Sequence, residues 1–176
     1  MSDDDNNVQN IERKPAMLLR VIAIWEPLMV WFKWRWCRIT GRAVLIRHAE
    51  PQAGGSDPDL ASSGQARANE LVHVLGDAGI VKIVVSHLQR TQQTAAPLAA
   101  HLGLTPVVES ALDIGAIAAE VRTSPGLVLV IGHSNTVPDV VDAMADTSLA
   151  DLSHDEFDHM FVVQHGSVAH LRYGDS

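Results

Sequence analysis

Three short runs of almost continuous apolar residues constrain the fold more than any other feature of the chain. They are AVLI at 43–46, KIVVS at 82–86 and LVLVIG at 127–132. A strand with one face in water alternates apolar and polar residues, whereas a strand covered on both faces does not. Each run is followed by residues with helical spacing. This order predicts an α/β fold, a three-layer sandwich in which helices flank a mainly parallel sheet.

Capping and turn residues set the expected limits of the remaining elements. Ser62 or Ser63 is expected to cap a helix that runs to about residue 78, with Gly79 as its stop. Two further helices are expected at 90–101 and 134–145, a short strand at 106–108, and a closing hairpin formed by 161–164 and 168–173. The 18 residues from 109 to 126 leave room for one helix. So short a segment predicts an open, shallow site.

The chain divides into three parts by composition. Residues 1–14 form a polar leader that is expected to be disordered, because it has little apolar surface to bury. Residues 15–40 are apolar and rich in tryptophan, but Arg20, Glu26 and Pro27 interrupt them. A charge near the bilayer centre costs about 2.5–3.5 kcal/mol, so contact of residues 16–38 with a membrane surface fits better than a span. For residues 15–40, a signal remnant and an ordinary leader remain alternatives. Residues 41–176 are expected to form one folded domain.

Charge and cysteine content exclude several kinds of partner. The 13 Lys and Arg against 21 Asp and Glu give 13 − 21 = −8, which disfavours binding to nucleic acid. The single cysteine, Cys37, has no partner for an internal disulfide or a zinc site. We therefore predict no metal and no cofactor. The expected location is the cytoplasm, with membrane association and export left open.

Histidines and arginines follow the three apolar runs at the point where each predicted strand ends. The first run leads into Arg47-His48-Ala49-Glu50, the second into Ser86-His87 with Arg90 one turn further, and the third into Gly132-His133-Ser134-Asn135. Ligands bind beyond the carboxyl ends of strands in open α/β sheets. Two imidazoles and two guanidiniums are thus expected at one edge of an otherwise acidic protein.

These residue types suit the chemistry of a phosphoryl group. The guanidiniums of Arg47 and Arg90 stay charged and match phosphate oxygens, so they can neutralise a dianion without a metal ion. A neutral His48 can attack phosphorus while His133 holds a non-bridging oxygen. The start of a helix at Ser134 adds backbone N–H groups that favour anions, and Gly132 before it would let the backbone approach closely.

The three blocks resemble the signature of the histidine phosphatase superfamily, also called phosphoglycerate mutase-like. They comprise Arg47-His48-Ala49-Glu50, Ser86-x-x-x-Arg90-Thr91-x-x-Thr94 and Gly132-His133-Ser134-Asn135. The resemblance extends over roughly residues 43–173, and it is greatest to short bacterial phosphatases and phosphohistidine phosphatases. It implies a phosphoglycerate mutase-like fold with His48 as the phosphorylated nucleophile. It also implies a phosphate pocket formed by Arg47, Arg90 and His133, with Ser134 and Asn135 as further substrate-binding residues.

Several positions near the blocks have less certain roles. His87 is interpreted as noncatalytic, and Glu50 either orients Arg47 or the imidazole or is an ordinary loop carboxylate. Leu60-Ala61 stands where relatives often carry Leu-Thr, which removes a hydroxyl group.

A general acid would protonate the leaving group and later activate water. Its candidates are Glu109 and Asp113, since Glu120 is expected deeper in a helix. A substrate with a good leaving group would need no acid.

The sequence therefore predicts a metal-independent phosphatase that acts on phosphate monoesters or phosphoramidates. Its partner would be a phosphorylated small molecule or a phosphoprotein. A protein phosphohistidine phosphatase is the second enzymatic hypothesis, and a noncatalytic phosphate-binding module is the alternative from another class. Mutase activity is disfavoured, because 176 residues leave little room for segments that retain and reorient the substrate.

Overall fold

A computed structural model of the chain describes residues 41–174. In chain order its elements are β1 (Arg42–Arg47), α1 (Ser62–Leu75), β2 (Ile80–Ser86), α2 (Gln89–Leu102), β3 (Val107–Glu109), α3 (Ile114–Thr123), β4 (Leu127–Gly132), α4 (Thr136–Ala145), β5 (His159–Gln164) and β6 (Ser167–Arg172). The predictions for the leader at 1–14 and the apolar segment at 15–40 lie outside the described residues. No helix between residues 41 and 174 is long and apolar enough to cross a membrane.

The six strands form one sheet in the order β3-β2-β4-β1-β5-β6. The first four of these are parallel to one another, whereas β5 is antiparallel to β1 and to β6. The parallel part places the carboxyl ends of β1, β2 and β4 at one edge of the sheet. This is the predicted α/β sandwich with a mainly parallel sheet.

The sheet is covered on both faces, which explains its uninterrupted apolar strands. Alternate residues of β1, β2 and β4 pack on one face against α1 and α2, where Leu71, Leu75 and Leu98 are buried. The other residues of the same strands pack against α3 and α4 around Ile117 and Val121. With both faces buried, every position of a central strand favours an apolar side chain.

Two helix starts differ from the predictions. Helix α1 begins at Ser62 with Ala61 as its N-cap, and no side chain caps it, so the predicted serine cap is wrong. Helix α4 begins at Thr136 rather than at Ser134, because a turn intervenes in which the Val137 N–H donates to the carbonyl oxygen of His133. The hairpin turn consists of two residues, His165 and Gly166, both with positive φ, as the tightest hairpins require.

Candidate active site

The pairing of β1 with β4 brings the two predicted imidazoles together. Arg47 lies opposite Gly132 in the register of these strands, and the His48 N–H extends the ladder by donating to the Gly132 carbonyl oxygen at 3.0 Å. His48 and His133 are thus adjacent, with ring centroids 5.3 Å apart and an angle of 61° between the rings. Each residue directly follows its strand, so the position of each ring is set by the sheet.

The hydrogen bonds of His48 determine which ring nitrogen is free to react. Nδ1 lies 2.8 Å from the carbonyl oxygen of Ala49, which can only accept, so Nδ1 carries the hydrogen. Nε2 therefore has the lone pair, and Arg90 Nε donates to it at 3.2 Å. Burial, and to a smaller extent the neighbouring His133, Arg47 and Arg90, lower the pKa of His48 to about 3. The imidazole is neutral at pH 7, as a nucleophile requires.

His133 is held by a pair of hydroxyl groups. Its Nε2 lies 3.0 Å from Ser86 Oγ, which lies 2.9 Å from Thr91 Oγ1. Its Nδ1 is buried and has no hydrogen-bond partner in the described part of the chain. Burial, and to a smaller extent Arg90 and Arg47, lower the pKa of His133 to about 4. His133 is therefore a fixed, neutral ring with one nitrogen that is not used by the fold.

Gly132 lets helix α4 approach the end of β4 closely. A Cβ at this position would lie 2.8 Å from Thr136 Oγ1 and 3.1 Å from Val137 Cγ2. The same Thr136 hydroxyl accepts from the His133 N–H at 2.9 Å. The glycine thus lets the start of α4 close over the end of β4, and this contact fixes the backbone of His133.

Arg47 is anchored to the segment that precedes β5. Its NH1 donates to the carbonyl oxygens of Ser153 and Glu156 at 2.7 and 2.9 Å, and its guanidinium carbon lies 4.0 Å from the ring centroid of Phe157. Phe157 also contacts His48, with ring centroids 5.9 Å apart. The sequence analysis missed Phe157, although an aromatic residue in an otherwise polar stretch before a strand was a signal that could have marked it.

The second block holds α2 against the loop that carries His48. The Thr94 hydroxyl accepts from the Ala49 N–H at 2.9 Å and donates to the Arg90 carbonyl oxygen at 2.6 Å. This contact places Arg90 one turn below, beside the His48 ring. The threonines of this block therefore position the backbone, while the arginine faces the site.

Glu50 does not orient Arg47 or the imidazole. Both of its carboxylate oxygens accept from Arg67 Nε of α1, at 2.9 and 3.1 Å. Of the two alternatives for Glu50, these contacts favour the loop carboxylate, which joins the end of the His48 loop to α1. Gly64 permits this close packing, since a Cβ there would collide with the Glu50 carbonyl oxygen.

The remaining predicted site residues lie at the edge of the pocket. Ser134 is half-buried and Asn135 is exposed, and the carbonyl oxygen of Ser134 accepts from the Leu152 N–H. Glu109 ends β3 beside Ser86, and Asp113 caps α3 by accepting from the Ala116 N–H at 2.9 Å. Within residues 41–174, no hydrogen bond or ion pair joins these two carboxylates to the pocket side chains. Their role as the acid stays a prediction.

Metal ligands are not grouped near the pocket. Among the described residues, no three side chains of His, Cys, Asp or Glu are arranged so that they could hold a metal ion. The positive charge at the site comes from Arg47 and Arg90.

Comparisons with known proteins show which family and which folds the chain resembles. Residues 43–113 match the family model of the histidine phosphatase superfamily (branch 1), whereas no curated protein matches the chain. The structure of a mycobacterial glucosyl-3-phosphoglycerate phosphatase with VO3 has a TM-score of 0.60 and 16% identity, over 77% of this chain and 100% of that chain. The protein histidine phosphatase SixA with tungstate has a TM-score of 0.58 and 17% identity, over 74% and 94%. The putative phosphohistidine phosphatase SixA from Agrobacterium tumefaciens has a TM-score of 0.55 and 18% identity, over 70% and 91%.

At these identities the solved structures show the likeness of the fold, while the family match covers the first two blocks of the sequence. The third block lies beyond the matched residues, but the register of β1 and β4 brings it into the same pocket. The chain is thus similar to the histidine phosphatase superfamily over residues 43–113.

Proposed function

We propose that the chain is a metal-independent phosphatase that hydrolyses phosphate monoesters or phosphoramidates through a phosphohistidine on His48. The observation that carries this proposal is the state of the His48 ring. Its Nδ1–H is held by the Ala49 carbonyl oxygen, and its Nε2 lone pair faces Arg90. A neutral, oriented imidazole beside a guanidinium is what in-line attack on a phosphate dianion needs.

When a phosphate group binds, one of its oxygens takes over the hydrogen bond that Arg90 Nε otherwise donates to His48 Nε2. In the first step, the released Nε2 lone pair attacks phosphorus, and the bond from phosphorus to the leaving oxygen or nitrogen breaks. The leaving group takes the electron pair of that bond. The ring then carries positive charge, which the Ala49 carbonyl oxygen stabilises through Nδ1–H. Arg47 and Arg90 neutralise the phosphoryl oxygens, and His133 holds a non-bridging oxygen.

In the second step, water attacks the same phosphorus and the bond to Nε2 breaks, with the electron pair returning to the ring. The proton of the water passes to solvent or to a carboxylate, and inorganic phosphate leaves. Glu109 and Asp113 remain the candidates for this carboxylate and for the acid of the first step. Within residues 41–174, no hydrogen bond or ion pair joins either carboxylate to the pocket side chains, which favours substrates whose leaving group needs little help.

The segment from 109 to 126, beside the opening of the pocket, is short, which favours substrates that reach the site from solvent. The segment from 109 to 126 contains the single short helix α3, and Leu112 in it is 86% exposed. A phosphoprotein or a phosphorylated small molecule could therefore reach the buried imidazole. The two named neighbours, a protein histidine phosphatase and a glucosyl-3-phosphoglycerate phosphatase, act on these two classes of substrate. A protein phosphohistidine phosphatase is accordingly the more specific candidate.

The test compares kcat/KM across phosphohistidine protein, phosphotyrosine peptides, sugar phosphates and an aryl phosphate, with and without a chelator. We expect turnover that follows the pKa of the leaving group and is insensitive to chelation. A preference above about a thousandfold for one sugar phosphate, about 4 kcal/mol, would contradict the open site. Tungstate binding without turnover of any substrate would favour the noncatalytic phosphate-binding module.

A further inference from the structure

A loop at the rim brings a carboxylate to the phosphate pocket. The loop from 52 to 59 is closed at its base by a backbone hydrogen bond of 2.8 Å between its first and last residues. Gly54 and Gly55 at its tip have φ values of 90° and 76°, which glycine adopts without strain. The chain reverses at these glycines, and its returning half carries Asp57 to the start of α2.

Asp57 contacts both the backbone and a side chain at the start of α2. Its Oδ1 and Oδ2 accept from the Gln89 N–H at 2.9 and 3.1 Å, and Oδ1 lies 3.7 Å from Arg90 NH1. The N-cap residue of this helix, Leu88, has no side-chain acceptor. The carboxylate from the distant loop takes that place, where the helix dipole favours a negative charge.

Arg90 is consequently held at two points. Its Nε donates to His48 Nε2 at 3.2 Å, and its NH1 forms the ion pair with Asp57. Its NH2 makes no hydrogen bond with the described residues, so this group is available to a phosphate. A long arginine side chain with 19% of its surface exposed would otherwise sample several rotamers.

We propose that Asp57 is a positioning residue that fixes the Arg90 guanidinium against His48 before a phosphate group binds. The proposal rests on the phosphatase function argued above and assigns Asp57 no contact with the reacting atoms. Because its charge is negative, Asp57 cannot itself attract a phosphate. Its removal should therefore reduce the rate of the chemical step without weakening the binding of an anion, which separates positioning from a merely structural role.

The experiment uses Asp57→Asn in the full-length chain. The asparagine oxygen can still accept from the Gln89 N–H, so the helix cap is kept while the charge is lost. We expect kcat for an aryl phosphate to fall by about tenfold or more, with the Kd for tungstate unchanged or lower. The matched control is Asp59→Asn in the same loop, since Asp59 accepts from Gln93 Nε2 at 2.5 Å and does not contact Arg90. Its kcat should equal that of the wild type.

A second measurement does not depend on turnover. The NMR signal of Arg90 Nε–H should be sharp and protected from exchange in the wild type and in Asp59→Asn, and broadened in Asp57→Asn. A kcat of Asp57→Asn within twofold of the wild type, or an unchanged Arg90 signal, would overturn the proposal. Parallel losses of tungstate affinity and Tm would also overturn it, by showing a structural role. A wild type that turns over no substrate would refute the phosphatase function, and the Arg90 signal would then decide the role of Asp57.

Discussion

The floor and the rim of the site are built in different ways. The floor consists of Arg47, His48, Ser86 and His133, which are between 4% and 8% exposed and directly end or follow strands. The rim consists of the loops at 52–59 and 109–113, which are mostly exposed. Floor residues are fixed by the sheet, whereas Asp57 and Asp113 of the rim are each held by a few contacts at a helix start.

This difference indicates how the work of the site is divided. In the proposed mechanism, capture of the phosphoryl group and the attack on phosphorus depend on buried groups with one possible orientation. Proton transfer and the choice of leaving group depend on exposed groups that the fold restrains less. Changes in the floor should therefore be severe for every substrate, while changes in the rim should depend on the substrate.

The largest expected effect compares the two arginines. Arg47→Ala and Arg90→Ala should each lower kcat/KM for an aryl phosphate by about a hundredfold to a thousandfold, since each removes positive charge from the transition state. Arg47→Ala should also cost about 1–3 kcal/mol of unfolding free energy, because it leaves the carbonyl oxygens of Ser153 and Glu156 without their donor. Arg90→Ala should cost about 1 kcal/mol or less. Equal losses of stability in urea unfolding would show that Arg47 is not an anchor.

The second expected effect is a loss of folding stability at acidic pH, which the two buried imidazoles of the floor cause. His48 and His133 have pKa values of about 3 and about 4 when folded, against about 6.5 when unfolded. Only the unfolded chain takes up these protons as the pH falls below 6.5. The two imidazoles therefore do not reduce the unfolding free energy above pH 6.5. Between pH 6.5 and 5, protonation of each imidazole in the unfolded chain lowers the unfolding free energy by about 2 kcal/mol.

The variant His48→Asn tests this dependence. Its unfolding free energy should fall by about 2 kcal/mol less than that of the wild type over the same range. Urea unfolding at pH 6.5 and pH 5 measures both proteins. Equal losses in the two proteins would mean that the folded protein accepts a proton on His48 at these pH values, contrary to its burial.

A smaller effect is expected at the rim carboxylates. Glu109→Gln and Asp113→Asn should each change kcat for an aryl phosphate by less than about threefold, because a good leaving group needs no proton. If one of them is the acid, its variant should lose about tenfold or more with an alkyl phosphate. The ratio of the two rates in each variant measures this. Identical ratios in both variants and the wild type would exclude both carboxylates as the acid.

The smallest effect is expected from the removal of residues 1–40. Deletion of residues 1–40 should leave kcat/KM within about twofold of the wild type, since the first block begins at Arg47 and the floor is held by the sheet. The same deletion should release the protein from membranes if residues 16–38 contact their surface. Fractionation of both forms tests this. A full-length protein found wholly in the soluble fraction would contradict the membrane contact.

The floor could be predicted from the sequence because it follows from strands alone. Apolar runs mark buried parallel strands, and the residue after each run must lie at the carboxyl edge of the sheet. His48 and His133 were found in this way. The close approach at Gly132 was expected as well, but its partner, Thr136 of α4, was not predicted.

The rim could not be predicted in the same way, because its contacts join residues that are distant in the chain. The partner of Glu50 is Arg67, on the far side of a loop, and Asp57 caps a helix that starts more than thirty residues later. Phe157 meets Arg47 only when β5 pairs with β1. No local pattern of spacing predicts such pairs. From the sequence, these residues could therefore only be interpreted as separate loop residues.

The most direct test of the account is the site of covalent phosphorylation. The protein is mixed with an aryl phosphate, quenched within one turnover and digested, and the phosphopeptides are mapped under conditions that preserve phosphohistidine. We expect one acid-labile phosphate on Nε2 of His48, and we expect both this phosphate and turnover to be absent in His48→Ala. Turnover that persists in His48→Ala, or a phosphate found on another residue, would contradict it.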